Sequence, residues 1–206
     1  MVNYMIIVGM DPSISNWGMV KVKILENKEI KILNANVTHT TNLKRKFPKN
    51  KTKISDKLRA EVKAANEIYK NVEMLNRGRH LIREALFFIE QSDFIFIELP
   101  VAGQSAVSCV NYGVCIGLFA AIAENGIPFE VIRNNEIKKM AGYGEKKIRS
   151  VEKEEVIDFV TKKGYTNLFT GFKNAEHEHL ADAMMTILVG VEKYETAISN
   201  FYDSNK

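Results

Sequence analysis

The chain begins with an unbroken apolar run, Met5-Ile6-Ile7-Val8-Gly9-Met10, which ends at Asp11 and turns at once through Pro12 and Ser13. A run this short, closed by turn residues, predicts a buried strand. From Gly18 to Leu25 the pattern becomes alternation, with Met19, Lys21 and Lys23 on one face and Val20, Val22 and Ile24 on the other, as in a half-buried strand. Asn27-Lys28 turns the chain into a third extended run, Ile30 to Val37. Three strands joined by short turns predict an antiparallel meander.

Residues 56 to 91 shift to helical spacing, carried by Val62, Ile68, Val72, Leu75, Ile82 and Leu86, with Ser55 or Asp56 as cap and a kink expected at Gly78. Phe94 to Ile97 is continuously apolar and predicts an interior strand covered on both faces, closed by Glu98. Ser105 to Glu124 predicts a helix that stops at Gly126, and Phe129 to Ile132 the next strand. Strand, helix and strand in this order imply a parallel pair with a right-handed crossover. Val151 to Lys163 and Ala175 to about Tyr194 read as the remaining helices. The prediction is one α/β domain over 1–194, with a basic loop insertion at 38–54 and a polar tail at 195–206. Its mixed five-stranded sheet, three antiparallel strands then two parallel, flanked by helices, is the ribonuclease H-like arrangement.

Composition narrows this further. At 206 residues and 46% hydrophobic, the chain suffices for one well-buried domain and not for two comfortable ones. No apolar stretch reaches the roughly 18 to 20 residues that span a bilayer, and the start lacks the marks of a signal peptide, so a soluble, cytoplasmic protein with no membrane partner is expected. Cys109 and Cys115 lack CxxC spacing and are expected to be reduced core thiols. The net charge is only +4, but residues 38 to 54 alone hold Lys44, Arg45, Lys46, Lys49, Lys51 and Lys53 with no acid. A second basic stretch holds Lys138, Lys139, Lys146, Lys147, Arg149 and Lys153. A solvated loop is the plain alternative for the first tract; two such patches on one small domain favour an extended polyanion.

The candidate chemistry lies at element ends. Asp11 and Glu98 each close a buried strand, and His179 and Asp182, three apart in an amphipathic stretch, share a helix face. A carboxylate following four apolar residues, as Glu98 does, needs a partner or a metal to offset its desolvation. Two strand-end acids plus one helix-borne cluster suit hard divalent metal ions and a two-metal phosphodiester site. His179 could instead be a helix-start histidine among Glu176, His177 and Glu178, and Glu178, four residues before Asp182, is its rival as ligand.

The strings GMDPSISNWG (9–18), FIFIELP (94–100), NYGVCIGL (111–118), KKMAGYGEKKIRSVEKEEV (138–156) and HLADAMMTIL (179–188) occur in an order and spacing that resemble the RuvC family of Holliday junction resolvases. The resemblance covers most of the chain from 5 to 190. It implies a crossover junction endodeoxyribonuclease with two Mg²⁺ or Mn²⁺ ions, bridged by Asp11 and held by Glu98 on one side and by Asp182 with His179 on the other. Products would be a 5′-phosphate and a 3′-hydroxyl. Lys153, and Lys138 or Lys139, fall where the family has basic residues at its active site. A homodimer is implied as well, with the apolar stripe Ala106, Val110, Val114, Leu118 and Ala121 as candidate interface; packing of that stripe on the sheet is the alternative. The sequence does not reveal whether a helicase acts as partner.

Two departures mark a divergent branch, a viral one among the candidates. Where the bacterial enzyme carries a stacking aromatic, three residues after the central glutamate, this chain has Val101, so that stacking comes from elsewhere, with Tyr112 or Phe47 as candidates, or is absent. The basic loop at 38–54 is also longer than the family's connection. The alternatives kept open are a broader flap or fork nuclease, a non-catalytic junction-binding module, and an ATP-binding protein of the actin and sugar-kinase type, for which the chain is too short.

Overall fold

The computed structural model describes residues 4–41, 56–99, 105–142, 151–196 and 198, with backbone alone at 56–64, 66, 67 and 107. The elements run β1 (Tyr4–Asp11), β2 (Asn16–Leu25), β3 (Ile30–His39), α1 (Asp56–Ile89), β4 (Phe94–Glu98), α2 (Ala106–Ala123), β5 (Phe129–Ile132), α3 (Asn134–Ala141), α4 (Lys153–Lys162) and α5 (Asn174–Lys193), with a 3₁₀ turn at Thr166–Phe169. The sheet order is β3-β2-β1-β4-β5. The first three strands pair antiparallel, whereas β4 lies parallel to β1 and β5 parallel to β4. This is the predicted mixed sheet.

Both faces are covered, which is why β1 reads as a continuous apolar run. Met5 and Ile7 of β1, Val20, Val22 and Ile24 of β2 and Phe96 of β4 pack under α3, α4 and α5. Val8 and Met10, Trp17 and Met19, and Ile95 and Ile97 pack under α1 and α2. The alternation in β2 therefore separates two cores rather than core from water. On its second face Trp17 and Met19 are buried, and Lys21 donates from Nζ to the Glu90 carbonyl at 2.9 Å while lying over the Phe88 ring.

α5 lies unusually close to the sheet, and glycine makes this possible. A Cβ on Gly9 would fall 2.1 Å from the Ala183 carbonyl oxygen, and one on Gly18 would fall 2.2 Å from that of His179. Farther along, a Cβ on Gly190 would meet the Phe96 ring at 2.5 Å. Thr186 Oγ1 fastens the contact, donating within reach of the Phe96 carbonyl at 3.2 Å and of Ala183 at 2.8 Å.

Several expectations need correction. Among the described side chains of α1, Leu81, Ala85, Phe88 and Ile89 pack on the sheet, whereas Ile68, Val72 and Leu75 stay 64%, 47% and 62% exposed despite their spacing. α1 runs through Gly78 without a break, and the missing side chain there admits Leu118 of α2, whose Cδ2 would lie 3.3 Å from an added Cβ. On α2 the residues that meet the sheet are Cys115, Phe119 and Ile122; Val114 and Leu118 flank them, and Ala106, Val110 and Ala121 face outward. Cys115 is a core thiol, but Cys109 is exposed. In the tail, Glu195 pairs with Lys28 and Ile198 is buried. Among the described residues no helix is long and apolar enough to cross a membrane.

The α5 contact yields a prediction. Gly9→Ala or Gly190→Ala should each destabilise the fold by about 2–3 kcal/mol, as overpacking against unyielding neighbours does. Urea denaturation checks this, and an unchanged midpoint would contradict the close approach.

Candidate active site

Strand parity brings the first two acids together. On β1 residues 5, 7, 9 and 11 face α5, and on β4 residues 94, 96 and 98 do the same. The parallel register pairs Met10 with Ile97, so the next step along both strands sets Asp11 beside Glu98 at the C-terminal ends of the two. α5 crosses above them. Its first turn is stapled to the sheet by His39, whose Nε2 lies 2.5 Å from Glu176 Oε1 and whose Nδ1 lies 2.9 Å from Asn16 Oδ1.

From that helix His179 reaches down, with Nδ1 3.0 Å from Asp11 Oδ2 and Nε2 3.5 Å from Glu178 Oε1. Asp182, half-buried one turn on, is in electrostatic contact with Asp11, Glu98 and Glu178. Desolvation first, then these like charges, push its carboxyl up to about 8. Glu98 is raised to about 7 by desolvation and by Asp11, partly offset by the hydrogen bond from Asn134. Among the described residues no group of three His, Cys, Asp or Glu side chains stands ready as a metal-ligand set. His179 pairs with Asp11, and Lys153 with Glu178, beside these crowded acids. The donor chemistry, carboxylates with one imidazole around a site short of positive charge, fits a hard divalent cation.

The cations divide. Lys153 opens α4 and bonds Glu178 at 2.5 Å, which raises its own pKa; Asp182 and Asp11 add to that effect. Lys138 acts electrostatically on Glu98, whereas Lys139 lines a separate groove with Met140, Phe159, Lys163 and Val189. Lys44, Arg45, Lys46, Lys49, Lys51, Lys53, Lys146, Lys147 and Arg149, and with them Phe47 and Val101, lie outside the described residues; Tyr112 is half-buried on α2.

Sequence reasoning missed Asn134, whose Nδ2 donates to Glu98 Oε1 at 2.7 Å and fixes the carboxylate's orientation. It sits at the start of α3, a short helix that was not foreseen. A signal existed: Glu136 closes a capping box, its Oε2 accepting from the Arg133 amide at 2.8 Å.

No known family model matches the chain, and no curated protein matches it in sequence. Solved structures do match. Thermus thermophilus RuvC in complex with a Holliday junction superposes with a TM-score of 0.58 at 18% identity, covering 95% of this chain and 98% of that one. The yeast mitochondrial Holliday junction resolvase Ydc2 gives 0.55 at 12% identity, covering 97% and 84%. The fowlpox virus resolvase in complex with junction DNA gives 0.50 at 15%, covering 94% and 99%. This chain has the ribonuclease H-like fold of these resolvases. The predicted fold class is thereby met over nearly the full length, and the acids at 11, 98 and 182 lie together at one end of its sheet.

The raised carboxyls make stability depend on pH. Glu98, shifted from 4.5 to about 7, and Asp182, shifted from 3.8 to about 8, bind protons more tightly folded than unfolded. Their cost is absent in acid and grows as pH rises from about 4 toward 8, where the unfolded chain ionises first. Asp182→Asn should therefore raise the melting temperature in EDTA at pH 8 by several degrees, at about 2–4 °C per kcal/mol relieved, and leave it unchanged near pH 4. Thermal melts check this; a lower melting temperature at pH 8 would refute the account of crowded charge.

Proposed function

We propose that this chain is a metal-dependent endonuclease that resolves four-way (Holliday) DNA junctions by paired, symmetrical nicks. The observation that carries the reading is the mutual electrostatic contact of Asp11, Glu98 and Asp182 on a fold shared with RuvC, Ydc2 and the fowlpox resolvase. Asp11, Glu98, Asp182 and His179 would hold two Mg²⁺ or Mn²⁺ ions, which when bound supply an activated water and Lewis-acid stabilisation of the departing 3′ oxygen.

The protein's own groups do the rest. Asn134 keeps Glu98 aimed, and His179 would turn from Asp11 toward the cation. Lys153, held by Glu178 at the rim, is 68% exposed on its side chain and so available to neutralise charge growing on the scissile phosphate. Lys138 adds positive potential beside Glu98. The basic tract at 38–54 and the stretch 143–150 would grip the flanking duplex arms.

Two symmetrical nicks require two active sites about one axis, and a homodimer supplies them. Support comes from the outward face of α2, where Ala106, Val110, Gly113, Ile116 and Gly117 carry no charge and Val110 and Ile116 are 59% and 45% exposed. Ile68, Val72 and Leu75 extend apolar surface on α1.

A synthetic immobile junction, tested beside linear duplex and flap controls with Mg²⁺ or EDTA, checks the reading. Paired nicks that need metal are expected. Asp11→Asn should lower the rate by 10³-fold or more, and Lys153→Ala by about 10²-fold, the scale of one lost charge-stabilising donor. Asymmetric nicking of flaps would move the assignment to general branched-DNA processing, and tight binding without cleavage to a binding module. Val110→Glu should convert dimer to monomer in sedimentation and uncouple the paired nicks; an unchanged sedimentation coefficient would remove α2 from the interface.

A further inference from the structure

Among the described residues one charged side chain is truly buried: Arg77 of α1, 5% exposed. Its guanidinium has partners on three segments. Nε donates to Thr40 Oγ1 at 2.9 Å, Nη2 donates to the Ile14 carbonyl at 2.9 Å and to Ser15 Oγ at 3.1 Å, and Nη1 lies 3.8 Å from Glu73 one turn earlier. The Ile14 carbonyl also accepts from Thr40 Oγ1 at 2.5 Å, and the Thr40 amide donates to the Ser15 carbonyl at 3.0 Å. Inside the same turn Ser13 Oγ accepts from the amides of Ser15 and Asn16, each at 3.2 Å.

Residues 12–15 form the turn that follows Asp11, and Thr40 directly follows the last residue of β3. Burying an ion merely to stabilise a fold gains little, because apolar residues of similar volume commonly do as well. A planar fork that meets a carbonyl and two hydroxyls at fixed angles instead sets geometry, which lysine's single ammonium cannot reproduce. We propose that Arg77 is a positioning residue for cleavage, locking the turn after Asp11 to the end of β3 and so holding the Asp11 carboxylate at a fixed place relative to a DNA strand bound at the site.

This inference rests on the nuclease reading above, so its test carries Asp11→Asn alongside. Full-length wild type, Arg77→Lys and Ser15→Ala are compared for single-turnover cleavage of a saturating junction in Mg²⁺, junction affinity in EDTA, melting temperature, and the phosphodiester that is cut. Arg77→Lys should bind the junction within about threefold of wild type yet cleave 10- to 100-fold more slowly, the scale of a misplacement near 1 Å. Its nicks should spread to neighbouring phosphodiesters, which a merely structural role would not cause. Ser15→Ala, which removes one acceptor and leaves the ion in place, should shift rate and nick position in the same direction and serves where Arg77→Lys fails to fold. Wild-type rate and a single unchanged nick in either folded variant, with Asp11→Asn inactive, would overturn the positioning role alone. Failure of wild type to cut in an Asp11-dependent way would overturn the nuclease reading and this proposal with it.

Discussion

The contact between α5 and the glycines of β1 and β2 is the constraint from which the site follows. With no side chain at Gly9 or Gly18, the helix backbone rests almost on the strands, its Ala183 and His179 carbonyl oxygens where a Cβ would otherwise sit. Only at that separation does Asp182, on a helix, come into the same field as Asp11 and Glu98, on strands. A larger residue at either glycine would lift the helix and dissolve the cluster without any of the acids being touched.

The cluster in turn carries a stability cost. Desolvation and the neighbouring acids raise the carboxyls of Glu98 and Asp182, while His179 pairs with Asp11 and Lys153 with Glu178. The surrounding structure is correspondingly over-determined: His39 staples the first turn of α5, Asn134 fixes Glu98, and Thr186 ties the helix to β4. A stiff scaffold that keeps repelling groups together is what a cation-binding site requires.

How much of this could be read from the residues depended on whether the cause was local. Asp11 and Glu98 were legible because each ends a short apolar run, and period-two alternation then decides which face it joins. Asp182 and His179 were legible from their spacing of three. Asn134 was not, because an eight-residue helix leaves little periodicity and the partner is 36 positions away in the chain. The packing face of α1 was not legible for a different reason. Ile68, Val72 and Leu75 keep helical spacing as well as Leu81, Ala85 and Phe88 do, and a pattern of apolar residues does not say whether the sheet or some other surface covers them. Nor did the sequence separate Lys138 from Lys139; a single step along α3 sends one toward Glu98 and the other to a different groove.

The glycine-seated helix also divides the molecule mechanically. An element pressed onto bare backbone has no side-chain cushion through which to slide, so Asp182 and His179 move with the sheet or not at all. The sheet with α5 is thus an anvil. Whatever adaptation a ligand demands falls to elements outside that block, the half of α1 that projects past the sheet among them.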